Sequence, residues 1–403
     1  MKQEQIMMRK EKGLHIAKTS RIQRNDKGEW KVPSQTGSGY YIVVSKGLET
    51  KCNCPDHELR HCKCKHIWAV EYIVTQEVDN QGNITQTTTI RKTYKQDWKA
   101  YNYSKQIEKD KFMELLADIT SRIREPVYDY GRPTNPLSDS VFAMVFKVYS
   151  TYSGRRFASD MNLALERKQI EKRIPYNSMF DYFQKKEMTP LLSQIVQITS
   201  LPLSSVEKDF SVDSTGFGTA NFQRWFSFKH GKEITSRKWV KCHFMNGNKT
   251  NIISAVKITT EFDNDCPELK ELVNTTAENF DMEEVACDKA YLSRENMEII
   301  ASYDATPYIP FKSNSTARAG GSAMWHKMYY YFKLNQDEFL EHYHKRSNGE
   351  TTVHMIKSKF GDRVRSKKWV AQVNEVLCKI IAHNICCVIQ EMHELKVEAK
   401  FEI

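Results

Sequence analysis

Between residues 104 and 203 apolar positions recur at helical spacing. Phe112, Leu115, Leu116, Ile119 and Ile123 form one stripe, the run 141–149 carries another, and Leu191, Leu192, Ile195 and Ile198 make a third. The third begins at Thr189-Pro190, an N-cap followed by a proline in the first turn. Nearer the N-terminus the period is that of strands. Trp30-Lys-Val and Tyr40-Tyr-Ile-Val-Val are separated by the turn formers Asn25-Asp-Lys-Gly and Gly37-Ser-Gly, and a short apolar helix follows from Ile67 through Trp68, Val70 and Ile73. The polar, threonine-rich run 80–89 reads as an exposed loop or linker, and a boundary is placed there. After residue 204 the signals mix. Phe210 and Val212 flank a strand ending in Asp213, while 239–245 and 252–258 are strands joined by Asn246-Gly247-Asn248, a hairpin signal. Segments 285–287 and 307–311 read as further strands, and 268–274 and 293–303 as helices. Two long helices close the chain, one carrying Glu350 and one over 369–395 with Val373, Val376, Leu377, Ile380 and Ile381 on its apolar face. The expected architecture is multidomain α+β: a small β-rich module with its linker (1–95), a helical region (96–203) and a mixed α/β region (204–403).

A length of 403 residues accommodates two or three domains. No apolar run reaches the roughly 20 residues of a membrane span, and Met1-Lys-Gln-Glu-Gln is no signal peptide, so a cytoplasmic location is expected. The net charge of +10 favours a polyanionic partner, because lysines and arginines that neutralise phosphates release counterions. Six of the ten cysteines (Cys242, Cys266, Cys287, Cys378, Cys386, Cys387) are scattered among apolar neighbours, as small buried hydrophobes of a reducing compartment are.

The other four, Cys52, Cys54, Cys62 and Cys64, crowd one segment with His57, His61 and His66. The pattern Cys52-x-Cys54-x9-Cys64-x-His66 offers two short chelating pairs of soft or borderline donors, which suits a closed tetrahedral Zn²⁺ site. Cys62, His57 and His61 compete for the same role. The segment resembles a SWIM-type zinc finger, in which Cys64-Lys-His66 leads into a helix; such fingers bind DNA or protein.

Tyr343, Arg346, Glu350 and Lys357 fall at offsets of 0, 3, 7 and 14, which places them on one face if the segment is a continuous helix; His354, at offset 11, joins them. Mixed charge on a helix ordinarily marks a solvated face with i, i+4 pairing. The spacing nevertheless resembles the C-terminal signature of the DDE transposases of prokaryotic insertion sequences, in the group named for those four letters. The two upstream aspartates that family requires have counterparts in Asp213, within Phe210-Ser-Val-Asp-Ser-Thr-Gly-Phe, and Asp288, within Val285-Ala-Cys-Asp-Lys-Ala-Tyr-Leu. The resemblance extends from about Leu137 to the C-terminus.

It implies a ribonuclease-H-like catalytic domain in which Asp213, Asp288 and Glu350 hold Mg²⁺ or Mn²⁺ and cut and join phosphodiesters by a two-metal mechanism. It assigns Tyr343, Arg346 and Lys357 to DNA-end binding. In the helical region it tips Gly154-Arg-Arg-Phe-Ala and the segment 177–185 towards a helix-turn-helix-like reader, with Arg155 and Arg156 on DNA; the residues alone fit a structural bundle equally well. The implied partner is double-stranded DNA, both element ends and target, bound by a homodimer at the nucleoid. Some relatives stack a flipped base on a tryptophan upstream of the glutamate. Trp325 is the counterpart, although tryptophan's bias towards burial favours a core role. Two other readings are a catalytically silent DNA-binding regulator derived from a transposase and a ribonuclease-H-like nuclease; the intact acids oppose the first, and the Tyr343, Arg346 and Lys357 set opposes the second.

Overall fold

The computed structural model describes the chain apart from residues 1–2, 21, 26–28, 36–38, 47–48, 61, 75–76, 79–83, 87–96, 128–129, 131–133, 220–228, 230–238, 319 and 402–403. It divides into two units, residues 1–93 and 94–403.

The first unit opens with α1 (Gln3–Thr19), then a four-stranded antiparallel sheet of β1 (Gln23–Arg24), β2 (Trp30–Pro33), β3 (Tyr40–Lys46) and β4 (Glu49–Cys52), followed by α2 (Pro55–Arg60) and α3 (Lys65–Val74). Trp30, Val32 and Val43 alternate inward to meet Ile67 and Val70 of α3 and Ile16 of α1. The expectation of strands and one helix here is corrected by α1, which packs on α3. Its contact is made at Gly13, where a Cβ would come 2.6 Å from Trp68 Cβ and 2.9 Å from the Lys65 carbonyl. Arg9 fastens α1 to α2 through a forked pair with Asp56, Nε to Oδ2 at 2.8 Å and Nη2 to Oδ1 at 2.9 Å. Within the run 80–89, expected to be a loop, β6 (Ile84–Gln86) pairs with β5 (Glu77–Val78), and the rest lies outside the described residues.

Among its described residues the second unit begins with the helices α4 (Trp98–Gln106), α5 (Glu108–Ser121), α6 (Leu137–Ser150), α7 (Gly154–Glu166), α8 (Tyr176–Phe183) and α9 (Met188–Ser200). A mixed five-stranded sheet follows, in the order β11-β10-β7-β8-β9. Its strands are β7 (Asp209–Gly218), β8 (Trp239–Gly247), β9 (Ile253–Thr260), β10 (Glu284–Cys287) and β11 (Thr306–Tyr308), with β7, β8 and β9 antiparallel and β10 and β11 parallel to β7. The flanking helices are α10 (Leu269–Ala277), α11 (Arg294–Ala301), α12 (Ala323–Leu334), α13 (Gln336–Tyr343), α14 (Ser347–Phe360) and α15 (Trp369–Glu394). A mixed sheet with flanking helices is the architecture that a ribonuclease-H-like domain requires.

Alternation along β7 sends Phe210 and Val212 into one core with α10, α11 and α12, and Phe217 into a second core with α15. The β8–β9 turn sits beyond the Asn246-Gly247-Asn248 expected for it. Strand β8 runs to Gly247, and the chain reverses over Asn248–Asn251, with Asn251 at φ 61°. Buried Glu207 accepts the Lys249 and Thr250 N–H groups there, so the turn is held from beneath.

Residues 96–203 and 204–403, expected as separate domains, share that second core. Helix α15 is long and apolar enough to cross a membrane, yet its apolar stretch is wholly buried, with Ile380, Ile381, Ile385 and Val388 packed among α6, α9 and the sheet. Asn384 completes the junction. Its Oδ1 accepts the Ile253 N–H of edge strand β9 at 2.9 Å, and its Nδ2 donates to the Ile253 carbonyl at 2.8 Å and to Thr199 Oγ1 at 3.1 Å. Asn384→Ala strands several of these groups in a dry core and is expected to lower stability by about 2–4 kcal/mol. A urea midpoint equal to wild type would show that the junction does not depend on this amide.

Candidate functional sites

Asp213 lies on β7 and Asp288 directly follows β10. Because Cys287 pairs with Val212, Asp213 and Asp288 are the next residues along two neighbouring parallel strands, whose backbones run about 4.8 Å apart. Glu350 reaches the same place from the first turn of α14. That helix can approach β7 because residue 349 is glycine: a Cβ there would meet Asp213 Cβ and Asn246 Oδ1, each at 3.4 Å. Burial pushes the Asp213 carboxyl above its usual range; the charges of Glu350 and Asp288 push the same way, against the Ser214 N–H at 2.9 Å and the charge of Arg346.

Arg346 is the cation between them. Its Nη1 lies 3.4 Å from Asp213 Oδ2 and its Nη2 3.6 Å from Glu350 Oε1, and its guanidinium carbon stands 5.8 Å from the Tyr343 ring centre. The continuous helix expected through these residues is interrupted. Tyr343 ends α13, a 3₁₀ turn covers His344–Arg346, and of the expected stripe only Glu350, His354 and Lys357 share α14. The tightening has an anchor: Lys345 Nζ bonds Asp209 Oδ2 and Glu284 Oε2, each at 2.7 Å, which pins the turn to the starts of β7 and β10. His342 reinforces it, bonding Glu284 Oε1 at 2.7 Å and stacking on Tyr308 at 4.6 Å. None of the three hydrogen bonds from Lys345 and His342 has a sequence signal, since each joins residues 58 or more apart.

Lys357 stands apart from the acids. Two turns beyond Glu350, roughly 10 Å along α14, its ammonium lies 5.6 Å over Phe217 near the end of β7. His354 is exposed beside Ser358. Trp325 is buried, donating from Nε1 to the Thr316 carbonyl at 2.9 Å beneath the Arg294 guanidinium. Arg155 and Arg156 are exposed in the first turn of α7, and α8 buries Met179, Tyr182 and Phe183 while exposing Asn177 and Phe180.

Three carboxylates against one guanidinium leave surplus negative charge and an all-oxygen donor set, which fits a hard divalent cation such as Mg²⁺ or Mn²⁺. Buried Asn246 Oδ1, beside Asp213 and without a hydrogen-bond partner, adds an acceptor suited to a water in that shell. Glu350 is largely exposed, and the three acids are not gathered as closely as the donors of the N-terminal unit.

In that unit β4, α2 and α3 converge so that one donor atom from each of Cys52, Cys54, Cys64 and His66 lies within 4.8 Å of the others, all four residues being buried. Cys52 Sγ and Cys64 Sγ each stand 3.9 Å from His66 Nδ1. Tetrahedral Zn²⁺ at about 2.3 Å from sulfur separates its ligands by roughly 3.8 Å, so the set fits. A hydrogen bond from Cys52 holds the Cys64 thiol below its ordinary range against the effect of burial. Of the competitors, His57 Nδ1 bonds the Cys62 carbonyl at 2.8 Å and Cys62 Sγ lies 3.9 Å from the Asp56 carbonyl, both outside the cluster. His61 lies outside the described residues.

No curated protein matches the chain. Residues 204–385 match the family model of the transposase DDE domain, a span that holds the sheet, Asp213, Asp288 and Glu350, and this match supports a DDE transposase.

Proposed function

We propose that the protein binds the ends of an insertion sequence, cleaves them and joins the freed strands to target DNA in the cytoplasm, with Asp213, Asp288 and Glu350 as its catalytic acids. The observation that carries this reading is the meeting of two aspartates on adjacent strands with a glutamate from α14 around a single arginine. Asp213, Asp288 and Glu350 would hold a divalent cation, which would supply charge neutralisation and activation of the attacking oxygen. The chain's own part is placement. Arg346 offers a fork for a phosphate, the Tyr343 hydroxyl donates one hydrogen bond beside it, and Lys357 gives a point charge further along the duplex. Arg155 and Arg156 meet the same duplex from α7, and two protomers grip the paired ends. The N-terminal unit is a SWIM-type finger with Zn²⁺ on Cys52, Cys54, Cys64 and His66.

The test is a labelled end-containing duplex incubated with the protein and Mg²⁺ or Mn²⁺. Cleaved ends with 3′-hydroxyls and products joined to plasmid are expected, and a tightly bound duplex that stays uncut would reject the reading. Arg346→Ala and Lys357→Ala are each expected to weaken binding to every end and to lower the salt slope by about one. Wild-type salt dependence in both would return these residues to a solvated face.

A further inference from the structure

We infer that the connection between α14 and α15, Arg363-Val-Arg-Ser-Lys-Lys-Trp, forms with residues 152–156 a basic and aromatic strip that grips the phosphate backbone of duplex DNA inward from the cleaved end. The inference rests on the function proposed above and assigns surface that the signature residues leave out.

The connection is built, and its cations face outward. Val364 is buried, and its N–H bonds the Gly218 carbonyl at 3.0 Å while the Gly218 N–H bonds the Asp362 carbonyl at 3.1 Å, so the segment runs beside the end of β7. Glu375, almost buried, accepts the N–H groups of Arg365 and Ser366 at 2.9 Å, and Gln372 donates to the carbonyls of Ser366 and Lys367 at 3.1 and 3.3 Å. A third tie comes from buried Lys379, which donates to the carbonyls of Phe360, Gly361 and Arg363. Backbone restrained in this way presents side chains at low entropic cost.

Arg365 Nη1 donates to the Tyr152 carbonyl at 3.2 Å, which joins the connection to the start of α7. The joined surface shows Arg155, Arg156, Lys367 and Lys368, all exposed, with Tyr152 50% and Trp369 42% exposed. Lys367 and Lys368 form no ion pair among the described residues, although the protein has many such surface pairs. Unpaired cations interleaved with exposed aromatic rings suit a sugar-phosphate backbone. The strip also lies at a usable distance. From Asp213 to Gly218 β7 advances five residues, about 17 Å, which at 3.4 Å per step is about five base pairs. Lys357, over Phe217, lies on the way.

The test uses the full-length protein with Lys367→Ala and Lys368→Ala combined and measures anisotropy of an end-containing duplex without divalent metal across a salt series. The variant is expected to melt as wild type does, to bind at least tenfold more weakly and to lose about two units of salt slope. Duplexes carrying neutral methylphosphonates at steps five to nine from the cleavage point should cost wild type the same affinity and cost the variant almost nothing further. Methylphosphonates placed at steps one to three should weaken both proteins equally. Unchanged affinity and slope in the variant would overturn the strip. So would loss of wild-type binding to phosphatidylglycerol vesicles with duplex affinity intact, which would make the surface a membrane contact. The proposed transposase chemistry is judged separately, by cleavage, so either result leaves it untouched.

Discussion

Asp213→Asn is expected to yield a protein that still binds element ends and no longer cuts them, and Asp288→Asn and Glu350→Gln should behave alike. A carboxylate that holds a divalent cation at a phosphodiester contributes several kcal/mol of transition-state stabilisation, and about 4 kcal/mol is already a thousandfold in rate. End binding should be unchanged or tighter, because a negative charge facing phosphate is removed. Stability moves in the other direction from activity. The Asp213 carboxyl is raised above its unfolded value, mainly by burial, so its contribution is present at pH below the unfolded pKa and is lost as pH rises through the folded one. Asparagine avoids that loss, and the variant should melt no lower than wild type at neutral pH. Double substitutions should cost little more than single ones, as residues acting as a unit do. Substantial metal-dependent cleavage by any single variant would remove that residue from the site.

Removing metal from the full-length protein is expected to unfold residues 1–93 and spare residues 94–403. Among the described residues, ten buried apolar ones form the first unit's core and three of them are Cys52, Cys54 and Cys64, so a small core loses its centre with the metal. Structural zinc contributes an apparent 10–16 kcal/mol or so to folding such modules, more than their remaining packing can replace. Limited proteolysis after chelation should therefore leave a resistant fragment beginning near residue 94, and Cys54→Ser should give the same pattern without chelator. Equal protection of residues 1–93 in a preparation shown by elemental analysis to hold no zinc would overturn the metal site.

The features legible in the sequence were those carried by local pattern. Alternation gave β7 and its Phe210, Val212 and Asp213, helical period gave α5, α9 and α15, and the short spacings of Cys52, Cys54, Cys64 and His66 singled out donors that the fold does bring together. Helix α1 escaped because its contact is a glycine against Trp68 and Lys65, which no apolar stripe announces. The 3₁₀ turn at His344–Arg346 escaped because its cause is distant: Lys345 answers to Asp209 and Glu284, on two other strands. The shared core escaped for a related reason, since the period of α15 shows that it is buried and cannot say against what.

That shared core sets a schedule. Nearly two hundred residues separate the end of α9 from the end of α15, and the apolar faces of α6 and α9 stay open until the later helix arrives. At roughly 5–20 residues per second of synthesis, that interval is on the order of 10–40 s. Residues 96–203 can form their helices in microseconds and must then wait, with the edge of β9 uncovered until Asn384 reaches it. The second unit is thus assembled late and at once, and the nascent chain passes through a long period in which chaperone binding or aggregation competes with the native fold.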